Sequence, residues 1–199
     1  MRIVRAPRPE GPPPRWARTP AARRGEMGER VVRAALERAL DDRYTLVHGL
    51  HLPGGDGDID AVLVGPRVVV IEVKTYADST TLRVRGLRWE YRNSLGRWIE
   101  ADTQPSTQAE ANARRVSYAL RSAGLPAYNV APVVVLVGTA SCALERPRVP
   151  VLRPHELAAF VREPQPAVPP SWPELALRAL FVAASAGVEA ADGKPPEPG

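Results

Sequence analysis

The chain has 199 residues, 44% hydrophobic and 25% charged, a balance that suits one domain with a real core and two polar ends. Its single cysteine, Cys142, excludes an internal disulfide framework and fits a reducing compartment. The net charge is +5, yet residues 1–24 hold seven Arg against one Glu, so the basicity belongs to the N-terminal segment and the remainder is slightly acidic.

Residues 1–24 are rich in Pro and Arg and are expected to form a disordered basic tail, either a source of nonspecific affinity for phosphates or simply a solvated arm. They lack the apolar stretch of a signal peptide, and no segment approaches the roughly 18 unbroken apolar residues of a spanning helix. The expected location is the cytoplasm, with no membrane contact.

"GEMGERVVRAALERAL" (Gly25 to Leu40) predicts a helix. Met27, Val31, Ala35 and Ala39 share one face, with Val32, Leu36 and Leu40 beside it. "YTLVHGLHL" predicts an extended segment closed by the turn cluster "PGGDG". Ile59–Val64 and Val68–Lys74 are rich in β-branched residues and flank Gly65-Pro66-Arg67, which predicts a hairpin. "TTLRVRGLRWEYRNSLGRWIE" predicts further antiparallel strand.

"QPSTQAEANARRVSYALRSAG" predicts a helix with Pro105 in its first turn and Gly124 at its stop. Val130–Gly138 is a continuous apolar run, as expected of a central strand buried on both faces. "VPVLRPHELAAFVRE" predicts a short strand and a helix, and "SWPELALRALFVAAS" a helix opened by a Ser171/Glu174 capping box. A Pro-rich disordered tail is expected over 187–199. The fold class is therefore α/β, with a mixed central sheet flanked by helices over residues 25–186.

Lysine usage singles out one position. Of 27 basic residues only Lys74 and Lys194 are Lys, and Lys194 lies in the C-terminal tail. Arg is a planar, permanently charged fork, whereas Lys is a compact amine whose pKa can move, so position 74 asks for an amine. A three-residue turn sets Val64 against Val68 and hence Asp60 against Glu72, on one face and roughly 5 Å apart. Period 2 adds Lys74 to that face. Two carboxylates at that distance repel by about 3 kcal/mol at an effective dielectric near 20. Protonation of one acid relieves this, or a cation between them. Carboxylate oxygens with water suit Mg²⁺ or Mn²⁺, and no Cys/His set has zinc spacing. Such an ion would polarise a phosphate oxygen and help make hydroxide from water, while Lys74 orients the water or steadies charge on phosphorus. The alternative is a Glu–Lys pair at a strand end facing solvent.

"GDIDAVLVGPRVVVIEVKTY" resembles the Asp…Glu-x-Lys core of the PD-(D/E)XK nuclease superfamily, and more specifically the nuclease-related domain, NERD. "GEMGERVV" resembles that family's opening helix and "QPSTQAEANARRV" its Pro-x-x-Gln helix. Together these cover roughly residues 25–125, with Ile59 where the superfamily's name has Pro. The resemblance implies a restriction-endonuclease-like core and a Mg²⁺- or Mn²⁺-dependent nuclease. Asp60, Glu72 and Glu29 would be metal ligands, Lys74 the catalytic amine, and Gln108 a residue near the site. Glu26 is the rival of Glu29, and i,i+4 pairing with Arg33 is the bland role of Glu29. DNA is the expected substrate, with RNA left open.

Arg83, Arg85, Arg88 and Arg92 with Trp89, Tyr91 and Trp98 form an Arg/aromatic stretch suited to gripping phosphates and stacking on bases. An ordinary sheet surface is the competing account. Two other readings of the whole chain stand beside the nuclease: a catalytically silent nucleic-acid-binding or interaction module with the same fold, and a structural domain that touches no nucleic acid.

Overall fold

The computed structural model describes residues 1–6, 19–55, 57–126, 130–164 and 168–192, with backbone only for 20, 21 and 187–192. Ten strands and four helices are seen among them. In chain order they are β1 (Arg2–Arg5), α1 (Pro20–Ala39), β2 (Thr45–Leu50), β3 (Ile59–Val64), β4 (Val68–Thr75), β5 (Thr81–Gly86), β6 (Arg88–Arg92) and β7 (Trp98–Glu100). Then come α2 (Pro105–Ser122), β8 (Val130–Val137), β9 (Ser141–Pro147), β10 (Val151–Leu152), α3 (Leu157–Val161) and α4 (Trp172–Asp192).

The main sheet has six strands in the order β1-β2-β3-β4-β8-β10. It is mixed: β2, β3 and β4 run antiparallel, while β1 with β2, β4 with β8 and β8 with β10 run parallel. Alternate residues of the central strands feed two cores. Val62, Val64, Val68 and Val70 pack with Val116 and Leu120 of α2 and Leu180 of α4. Ala61, Leu63, Val69, Ile71 and Val73 pack with Val32 and Leu36 of α1 and Leu157 of α3. A sheet covered by helices on both faces requires apolar residues at every central position, which the Val/Ile runs supply. This is the expected α/β class and is consistent with a restriction-endonuclease-like core.

A second sheet, β7-β6-β5-β9, stands apart from the first. Its inner face (Leu82, Val84 and Trp89) closes on Ala109 of α2 and on Val134 and Leu136 of β8.

The structure corrects several expectations. Arg2–Arg5 are not part of a disordered tail: they add β1 to the sheet edge, parallel to β2. The expected tail otherwise falls on 7–18, outside the described residues. The first helix begins at Pro20, capped by the Thr19 hydroxyl, which accepts from the Ala22 N–H at 3.2 Å. Its buried stripe is Gly28, Val32, Leu36 and Leu40, whereas Met27 and Val31 are exposed. The last helix continues past Gly187 to Asp192, and 193–199 lie outside the described residues. Strand β9 was not foreseen, because its sequence, SCALERP, carries no apolar alternation.

Candidate active site

The β3–β4 register is Val64↔Val68, Leu63↔Val69, Val62↔Val70 and Ala61↔Ile71. One further step outward sets Asp60 beside Glu72, at the open end of the hairpin. The expected register holds, and both acids lie on the side of the sheet that α2 covers. The Val73 N–H donates to Asp60 Oδ2 at 2.8 Å and fixes that carboxylate across the strand end. Lys74, two residues beyond Glu72 on the same face, brings Nζ to 2.7 Å from Glu72 Oε1.

Burial makes this cluster unusual. The Glu72 side chain is only 1% exposed, and apart from the Lys74 ammonium neither of its oxygens has a hydrogen-bond partner among the described residues. A buried carboxylate satisfied only by one nearby ammonium is an open coordination position. Burial, then the neighbouring Asp60, pushes the Glu72 pKa up to about 7. Burial also raises that of Asp60, opposed by the Val73 N–H. For Lys74, burial favours the neutral amine, but Glu72 and Asp60 outweigh it and the net shift is upward. Lys74 is therefore a fixed ammonium and a hydrogen-bond donor, unsuited to taking a proton.

These donors are oxygens without sulfur or imidazole, which fits a hard divalent cation. No three Asp, Glu, His or Cys side chains group to hold a metal among the described residues. An ion seated on Asp60 and Glu72 would take its remaining ligands from water or from phosphate oxygens, as Mg²⁺ commonly does.

Glu29 does not complete the expected trio. It sits on α1, which covers the opposite face, and lines a cleft with Ala61 and Val73, the residues that alternate with the acids. From there it acts on Glu72 at a distance, adding a small upward push to its pKa. What brings α1 so close is Gly28. A Cβ there would lie 2.5 Å from Thr75 Oγ1 and 3.2 Å from Val73 Cγ1. Gly28→Ala is expected to destabilise the chain by about 1–3 kcal/mol, read by urea unfolding. A variant as stable as the wild type would contradict that contact.

Gln108 is exposed near the start of α2, and its side chain makes no hydrogen bond among the described residues. One turn on, Asn112 is buried and accepts from Arg115. Asp58 is exposed, 3.4 Å from His51 Nδ1.

The assignment of Trp89 to base stacking is corrected. Its side chain is fully buried, its Nε1–H donates to Ser106 Oγ at 2.8 Å, and its ring stacks on Tyr76 at 6.3 Å. A side chain in that position has no face to offer a nucleotide. Arg83 is engaged by Glu90 at 2.8 Å and lies over the Trp98 ring. Arg85 and Arg88 are exposed but paired with Glu145 and Glu100. The outer face of the second sheet is thus largely charge-balanced, which favours the sheet-surface account.

Sequence reasoning missed Tyr76. Positions 72, 74 and 76 form one period-2 row, so the alternation that placed Lys74 also places Tyr76 beyond it. Its phenol is half-buried, and burial raises its pKa.

Comparison with known proteins gives one match. The family model described as NERD, nuclease-related domain, matches residues 24–137. That span runs from α1 through β8 and contains the whole acid–lysine cluster. No curated protein and no solved structure matches.

Proposed function

The chain belongs to the nuclease-related domain family, and from that premise we propose that it is a divalent-metal-dependent nuclease that hydrolyses phosphodiester bonds of DNA. The observation that carries this reading is the buried Glu72 carboxylate, with no partner but the Lys74 ammonium among the described residues, flanked on the same face by Asp60.

Asp60 and Glu72 would hold the Mg²⁺ or Mn²⁺ ion. When bound, that ion neutralises the pair and polarises a phosphate oxygen. The Val73 N–H keeps Asp60 turned toward Glu72, so the pair is set before any ligand arrives. Lys74 donates hydrogen bonds from a permanently charged Nζ. It orients a water for attack on phosphorus and stabilises the negative charge that grows on the phosphoryl oxygens. Glu29 acts from beyond the sheet end through its field and through water. The apolar strands behind the pair exclude bulk water and strengthen each of these interactions.

DNA affinity in this account comes from phosphate contacts by arginines outside the balanced face, with the Arg-rich segment over 1–24 as a contributor. Plasmid and single-stranded DNA incubated with the protein should be cut with Mg²⁺ or Mn²⁺ and left intact with EDTA. Cutting that survives EDTA would overturn the proposal. Salt-dependent DNA binding without turnover, and without heat on titration with Mn²⁺, would favour a silent binding module instead.

A further inference from the structure

The connection from β2 to β3 delivers Asp60, and its hold on that residue is weak. The β2–β3 ladder passes from His48↔Ala61 directly to Leu50↔Ile59, with Gly49, at φ 63°, opposite Asp60. On the other side the β3–β4 rungs end at Ala61↔Ile71. Asp60 therefore sits where the ladder is interrupted on both flanks. Beyond the bond from the Val73 N–H, its orientation depends on what fixes the chain just before it.

One side chain does that across the fold. Arg115, half-buried on α2, donates from Nη1 to the Leu52 carbonyl at 3.3 Å and from Nη2 to the Gly57 carbonyl at 3.2 Å. The two carbonyls stand near opposite ends of the connection, and the planar guanidinium spans them. Buried Asn112 holds the same Nη2 with its Oδ1 at 3.1 Å. Gly55 lies against the fork so closely that a Cβ there would fall 1.7 Å from Nη1. The His51–Asp58 contact closes the base of the same connection.

We propose that Arg115 is a positioning residue for Asp60: through the Leu52 and Gly57 carbonyls it fixes the chain that presents this carboxylate to Glu72. The consequence for metal affinity rests on the nuclease reading. Groups that orient a ligand typically cost tenfold to a hundredfold in metal affinity or activity when removed. Only a fork reaches both carbonyls, so Lys at 115 restores little.

The clamp can be broken from either side, by Arg115→Ala or by Gly55→Ala, whose methyl group displaces the guanidinium. The amide exchange of Val73, the donor to Asp60, reads the position of Asp60 without any metal. Each variant should speed Val73 exchange at least about tenfold while Val70 exchange stays within about twofold. Each should also weaken Mn²⁺ binding about tenfold in calorimetry. In the double variant Gly55→Ala should add less than about twofold, because the clash it makes is gone. Unchanged Val73 exchange in both single variants would overturn the proposal, as would losses that multiply. If the wild type binds no Mn²⁺, the nuclease reading fails while Val73 exchange still decides the clamp.

Discussion

Glu72→Gln is expected to lower DNA cleavage by at least about a hundredfold to a thousandfold, the scale seen when one preorganised electrostatic group is removed, with circular dichroism unchanged. The amide fills the same space among the same strands and can still accept from Lys74, so packing is preserved. It loses the charge that attracts a cation. Lys74→Ala should lose as much, because the permanently charged donor vanishes while Glu72 and Asp60 are left facing each other. Lys74→Arg should rescue little. A guanidinium is a broad fork that cannot take the position of a compact Nζ 2.7 Å from a buried carboxylate. The chain uses Arg for nearly every other cation, so a fully active Lys74→Arg protein would remove the reason for this lysine. Wild-type cleavage by Glu72→Gln would remove the site itself.

The second large effect is on stability, with pH as the variable. Glu72 titrates near 7 in the folded chain against 4.5 for an ordinary glutamate. Between these values the folded state holds a proton that the unfolded state has released. The stabilisation is complete below about pH 4.5 and is lost as pH rises through about 7. At 1.36 kcal/mol per pKa unit the fall is about 3 kcal/mol, a large share of an ordinary domain's 5–15 kcal/mol. Asp60, also shifted upward, adds in the same direction. Lys74 stays charged throughout this window, because its own shift is upward. Urea unfolding in EDTA at pH 5 and pH 8 should show this loss in the wild type, and Glu72→Gln should abolish most of it. Added Mn²⁺ should return stability to the wild type at pH 8, because an ion that binds only the folded chain stabilises it by mass action. Equal pH dependence in the two proteins would contradict the burial of a charged Glu72.

These effects were legible in the sequence to different depths. The hairpin could be read because Gly-Pro-Arg leaves one short turn and the flanking strands are β-branched; a one-residue slip would have turned Asp60 and Glu72 to different faces. The lysine count then marked the site. Trp89 was misread because composition does not reveal which face of a strand is covered. The alternation Leu82, Val84 against Arg83, Arg85 marks one face of that sheet as apolar, and the pairing Val84↔Trp89 puts the ring on it. Glu29 was placed correctly on its helix, but a helical period says nothing about which side of a sheet the helix covers. Strands β1 and β9 are sheet-edge strands whose residues are mostly polar or exposed, held by backbone pairing that leaves no pattern in the side chains. Arg115 could not be found from sequence, because its partners are backbone carbonyls far away in the chain.

The proposed chemistry stands or falls with a divalent cation held by the Asp60–Glu72 pair. A crystal soaked in Mn²⁺, with data collected at the manganese absorption edge, tests it most directly. An anomalous peak is expected between the two carboxylates, absent from a Glu72→Gln crystal treated in the same way. No peak at the pair in a protein that cuts DNA only with Mn²⁺, or a peak bound by other residues, would contradict it.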